Sequence, residues 1–194
     1  MDFNWLIPVI IALMVYACVY YYLKSRKVLP HVIDFMGPCI MIKTERVGFF
    51  DTLARPKKLL YAYATAGVLI TLLCAVVVTV MFLVSGILSL TVQTDPIPPQ
   101  DLLLIPGLNS YVPSTFAVWF ALFFAMIIHE AGHGIISRVE KMRVKSTGLL
   151  TLIIPIGAFV ESYGEDVEKA ALGSKLRMFA AGITNNMVVG TICL

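Results

Sequence analysis

Charge is what this sequence has least of: 14% of its 194 residues are Asp, Glu, Lys or Arg, and 59% are hydrophobic. An average soluble domain carries about 25% charged residues, so water is excluded as the solvent for most of this chain. The little charge present is also uneven, because all 15 Lys and Arg fall in 24–58 and 138–177, with none in 1–4 or 91–113. The formal net charge of +3 therefore calls for no nucleic-acid partner, since the basic residues sit where membrane topology puts them. Cysteine is scarce too. Cys18, Cys39, Cys74 and Cys193 show no CxxC spacing and no disulfide framework, and are expected to be small buried apolar side chains. No basic residue precedes the first apolar run and no small-residue cleavage site follows it, so a removable signal peptide is not expected. There is no internal repeat and no low-complexity tract.

What is there is a set of long apolar blocks. Residues 5–23 form the first, closed by Tyr20, Tyr21 and Tyr22 and then Lys24, Arg26 and Lys27, which is the pattern of a span with an interfacial aromatic belt and a basic anchor. Further blocks at 59–90, 115–136 and 178–194 give an all-α polytopic membrane protein of about four transmembrane helices, a single membrane domain over 1–194. By the positive-inside rule the basic loop 24–58 and the segment 137–177 are cytoplasmic. The N-terminus and the loop 91–113, with its turn-rich Asp95-Pro96-Ile97-Pro98-Pro99, are then extracytoplasmic. Residues 149–160 are apolar and β-branched but too short to cross. With both flanks on one side, they are expected to form a short re-entrant or membrane-associated β-like segment.

The third block contains His129-Glu130-Ala131-Gly132-His133, an HExxH motif. On a helix, positions i and i+4 share a face, so both imidazoles can address one ion while Glu130, one step round, reaches a water bound to it. The 13 consecutive apolar residues before the motif make about 20 Å of helix, short of the roughly 30 Å of a hydrocarbon core. The helix must therefore continue through the motif to finish crossing, which puts the histidines inside the bilayer, in its cytoplasmic third. Ionisable side chains there need a metal, a partner or a water-filled cavity. Inter-helix hydrogen bonding, or a proton or ion relay in a transport protein, is the alternative use of such residues. Gly132 and Gly134 are expected to serve close helix packing.

The run Leu104-Ile105-Pro106-Gly107-Leu108-Asn109, the HEAGHG at 129–134, Pro155-Ile156-Gly157-Ala158-Phe159-Val160-Glu161 and the stretch 175–186 ending Ala180-Ala181-Gly182-Ile183-Thr184-Asn185-Asn186 together resemble the site-2 protease family, most closely its archaeal members. The basic loop between Gly37 and Lys58 is similar to the same proteins, more weakly. The resemblance implies an intramembrane zinc metalloprotease in a cell membrane, acting on peptide bonds in or near transmembrane segments of other proteins. It implies His129 and His133 as Zn2+ ligands, Glu130 as general base, a supporting Asn186, and a strand loop at 149–160 whose edge pairs with substrate. A non-proteolytic binding or transport protein of the same fold is the alternative; oligomeric state is not legible.

One feature of the family is missing from these residues. The third zinc ligand is there an Asp in an LDG-type motif on a later helix, and no such motif occurs here; Glu161, Glu165 and Asp166 lie in a predicted cytoplasmic segment. A catalytic zinc site generally has three protein ligands, so the sequence is expected to be the N-terminal portion of a longer protein. The 194 residues purified alone are predicted to hydrolyse no membrane-protein substrate, and robust turnover by that polypeptide would overturn the ligand argument.

Overall fold

The apolar blocks fold as helices. The computed structural model describes residues 6–26, 29–91, 97–102 and 104–194. In chain order its helices are α1 (Leu6–Arg26), α2 (Gly48–Leu53), α3 (Lys57–Leu88), α4 (Phe116–Val139), α5 (Gly164–Lys169) and α6 (Leu172–Ile192). The first residue of the first expected span, Trp5, and residues 95 and 96 of the proline-rich stretch lie outside the described residues.

With 32 and 24 residues, α3 and α4 run about 48 and 36 Å and are long and apolar enough to cross a membrane. The core helix of a soluble protein would be mostly covered by its neighbours, but only 6% of the most apolar stretch of each is buried. The first and last expected spans are also helical, as α1 and α6. Cys18 on α1 and Cys193 at the end of α6 are exposed, against the expectation of burial; all four cysteines are free thiols.

Helix α4 is continuous through the HExxH motif, as the length argument requires. At its start the Thr115 hydroxyl accepts the Val118 N–H at 3.4 Å. Its end is a Schellman turn: Lys141 takes a left-handed φ of 63°, its N–H bonds the Arg138 carbonyl, and the Met142 N–H bonds that of Ser137. Met142 then drops into the core with 2% exposure, among Ile136, Val139, Met178 and Ala181. The core thus sits at the C-terminal end of α4, where α3, α4 and α6 meet.

The all-α expectation is corrected by a four-stranded antiparallel sheet in the order β1 (Ile33–Met36), β2 (Cys39–Thr44), β3 (Val144–Leu152), β4 (Ile154–Ser162). The β-like segment expected at 149–160 is the tip and outer strand of a hairpin that starts at 144. Its other two strands, and α2, come from 24–58, which charge counting describes only as a loop. The physical reason is that these strands are short and lie against other protein: in β1, Ile33 and Phe35 are half-buried while Asp34 and Met36 are exposed, a period-two pattern too brief to stand out. Two tyrosines of α1 hold the sheet, since Tyr16 donates to the Pro38 carbonyl at 2.6 Å and Tyr20 to that of Gly37 at 2.7 Å.

Close helix packing at Gly132 and Gly134 is borne out. A Cβ at 132 would stand 2.8 Å from the Ala181 carbonyl oxygen and 2.7 Å from Asn185 Nδ2, and one at 134 would enter the ring of Phe50, itself 1% exposed.

An ion pair closes the same end of the bundle. Arg177 Nε donates to Glu140 Oε1 at 2.6 Å and Nη2 to Oε2 at 3.1 Å, with the guanidinium 4.1 Å over the Tyr61 ring and side-chain exposures of 13% and 7%. The hydrogen-bonded Arg177 holds the Glu140 carboxyl below its ordinary value of 4.5. Arg177→Ala strands a buried carboxylate and is predicted to lower stability by about 3 kcal/mol near neutral pH. Because the folded-state value is depressed, the pair's contribution is full above the ordinary glutamate value and is lost as pH falls below it. Thermal unfolding in detergent micelles from neutral to acid pH should show the two proteins converging; a gap that widens toward acid would contradict this.

Candidate metal centre

Helical periodicity brings His129 and His133 together on α4, with ring centroids 4.9 Å apart and planes at 73°. With Glu130 they form a half-buried group whose ligand atoms all lie within 4.8 Å of one another. The neighbouring α6 decides which ring atoms face inward. His133 Nδ1 lies 2.7 Å from the Met178 carbonyl oxygen, an acceptor only, so Nδ1 carries the proton and Nε2 keeps its lone pair.

His129 Nδ1 lies 3.2 Å from Asn186 Nδ2, while Asn186 Oδ1 is buried without a hydrogen-bond partner. Turned end for end, that amide places Oδ1 against His129 Nδ1 and Nδ2 where Oδ1 stood. Oδ1 then accepts the His129 Nδ1 proton, and Nε2 of His129 is left as bare as that of His133.

Both Nε2 atoms converge on Gly182 of α6. A Cβ there would stand 2.5 Å from His129 Nε2 and 2.6 Å from His133 Nε2, so only a residue without a side chain leaves the space between them open. Two imidazoles oriented from behind by a carbonyl and an amide, with lone pairs aimed at one small gap, are the donor set of a late first-row divalent cation such as zinc. The residues present fit such an ion.

Next to Asn186, Asn185 plays a different part: its Nδ2 donates to the Ile128 carbonyl at 3.0 Å and its Oδ1 accepts from the Tyr63 hydroxyl at 2.7 Å, joining α6 to α4 and α3. Glu130 turns toward the sheet, where its Oε2 accepts the Val160 N–H at 3.1 Å. Beside it a cavity of about 270 Å3 opens between α4, α2 and the strands, lined among others by Phe50, Thr147 and Ala158. A larger apolar cavity of about 660 Å3 lies farther toward the start of α4, around Trp119, Phe123, Met126 and Ile156, and no titratable side chain lines it.

Two of the other acids considered from sequence, Glu161 and Asp166, are engaged elsewhere. Glu161 pairs with Lys145 at 2.8 Å and accepts from Ser146 at 2.7 Å. Arg143 binds both oxygens of Asp166 and holds its carboxyl down to about 2. Among the described residues, no acid other than Glu130 joins the histidines. Sequence reasoning missed Gly182 as the cradle, the Met178 carbonyl, Val160 and Tyr63. The only signal for Gly182 and Val160 was their place inside quoted motifs, and Met178 acts through its backbone, which leaves none.

Residues 117–194 match the family model described as Peptidase family M50, the family of the site-2 proteases, which bears out the resemblance over that stretch. A 70-residue region is 36% identical to an uncharacterized protein of the archaeon Methanocaldococcus jannaschii, covering 36% of this chain and 19% of that protein. The chain thus aligns with about a fifth of that relative's length. No solved structure matches. The family match and the two apolar helices support a membrane metallopeptidase.

Gly182→Ala puts a methyl group between the two imidazoles in a helix that alanine otherwise favours. It is predicted to weaken zinc binding at least tenfold while leaving helix content unchanged, as read by zinc titration and circular dichroism. Asn186→Ala, which frees the His129 ring, should weaken binding roughly tenfold to a hundredfold. Unaltered zinc affinity in Gly182→Ala would show that the imidazoles converge elsewhere.

Proposed function

We propose that this chain carries the HExxH part of an intramembrane zinc metalloprotease that hydrolyses peptide bonds in or beside transmembrane segments of other membrane proteins. The observation that carries this reading is the convergence of two imidazole Nε2 atoms on Gly182 inside an apolar helix long enough to span a bilayer. The spans are those read from sequence, at 5–23, 59–90, 115–136 and 178–194. The N-terminus is extracytoplasmic and the site opens toward the cytoplasm, because the basic residues flank the HExxH end of α4. The family resemblance supplies the third protein ligand from an Asp on a later helix.

Zinc bound by His129 and His133 would act as a Lewis acid, making a water nucleophilic where hydroxide is scarce. The protein's own groups do the rest. The Met178 carbonyl and Asn186 hold the rings in the ligating tautomer and prevent their rotation. The Glu130 carboxylate, one residue from His129 and three from His133, would take the attacking water's proton and deliver it to the departing amide nitrogen. A helical substrate has its peptide bonds hydrogen-bonded internally and must be unwound first. Strand β4, at the edge of the sheet and beside Glu130, would present its outward backbone groups to an extended substrate segment lying along it as a further strand.

In the full reading frame Glu130→Gln is predicted to lose at least a hundredfold in cleavage of a transmembrane substrate while still holding one zinc per chain, measured by gel assay and elemental analysis. A protein purified without stoichiometric transition metal, or undiminished cleavage by Glu130→Gln, would sink the protease reading and leave a binding or transport role.

A further inference from the structure

The hydrogen bond between Glu130 and Val160 joins two parts of the site that hydrolysis needs separately. Its donor belongs to the edge on which substrate would pair, and its acceptor is the side chain that would move the proton. We propose that this bond is a latch: the free edge of β4 holds the Glu130 carboxylate until an extended substrate strand takes its place. The inference rests on the protease reading above and concerns how the same site is regulated.

The strand register supports it. In an antiparallel pair, successive residues point their N–H and C=O groups alternately toward and away from the partner strand. Val160 stands opposite Thr147 of β3, yet its N–H reaches Glu130 of α4, so it points off the sheet; Ala158, two residues earlier and opposite Leu149, presents its N–H on the same side. A substrate strand added to β4 would offer a carbonyl oxygen to the Val160 N–H, at about the position Glu130 Oε2 occupies. One N–H cannot serve both acceptors well, so pairing at Val160 and the Glu130 contact exclude one another. A displaced carboxylate has room to move in the cavity of about 270 Å3 beside it, and stays within reach of the imidazoles. Glu130 is thereby free to accept a proton only when a peptide occupies the edge.

The consequence is measurable without catalysis, because a ligand that must displace an internal competitor binds more weakly than it would to the open site. Glu130→Gln keeps an oxygen that can accept from Val160, Glu130→Ala has none, and neither is expected to cleave. The zinc-loaded full-length variants would be titrated in micelles with a fluorescein-labelled ten-residue Thr/Val peptide, and with a copy N-methylated at alternate residues that cannot pair. The Ala variant is expected to bind the pairing peptide about fivefold more tightly than the Gln variant, the worth of one net hydrogen bond. Val160→Pro removes the donor at an outward-facing position of an edge strand and should abolish that difference.

Equal or weaker binding by Glu130→Ala overturns the latch, and if only the pairing peptide binds, strand addition survives it. Equal binding of both peptides in both variants overturns strand addition and the latch together. Should Val160→Pro fail to fold, amide exchange at Val160 decides. Exchange at least tenfold faster in Glu130→Ala than in Glu130→Gln supports the latch, and equal rates overturn it.

Discussion

Helix α6 meets α4 with glycine on both sides, Gly132 against the Ala181 carbonyl and Gly182 against the two imidazoles, and this close approach is the contact on which the site depends. Small residues and interhelical hydrogen bonds hold the pair. Here the hydrogen bonds are also the ones that orient the ligands. Met178 and Asn186 of α6 reach His133 and His129, while Asn185, between α4 and the Tyr63 hydroxyl of α3, keeps the three helices in register. Spreading the helices to admit even one methyl group at 182 would disturb packing and coordination together.

Below this crossing the structure is tied by protein rather than by lipid. The Schellman turn after Val139, the buried Met142, the Phe50 ring seated on Gly134 and the Arg177–Glu140 pair all lie at the C-terminal end of α4. The opposite half of α4 exposes Phe116, Phe120 and Leu122. A rigid end and an apolar, lipid-facing end on one helix place the polar site at the boundary between them. The sheet occupies that boundary too, held by Tyr16 and Tyr20 of α1, with β4 outermost and next to Glu130.

Much of this was legible because it is local. The apolar blocks, their helical state and the pairing of His129 with His133 all follow from composition and a repeat of 3.6 residues, and continuity of α4 through the motif followed from its length. The small-residue role of Gly132 and Gly134 was read correctly from their place in an apolar helix. The strands of 33–44 were not, since four to six residues in a charged loop carry too little alternation, and the hairpin they form is held by pairing of β2 with β3, more than 100 positions away. Cys18 and Cys193 were misjudged because an apolar neighbourhood in sequence implies burial only where other elements of the fold pack over it.

By itself the sequence determined that a chain poor in charge carries two imidazoles and a carboxylate on one face and flank of an apolar helix, for those relations are set within five residues of one another. Only the tertiary structure decided which ring nitrogens face the gap, that Gly182 forms its far wall, that Asn186 rather than Asn185 serves His129, and that Glu130 bonds the Val160 amide. The reason is physical. Each of these depends on the rotation and depth of α6 and the sheet against α4, and such placements are fixed by side-chain packing across 30 to 57 residues of intervening chain, which no local periodicity encodes.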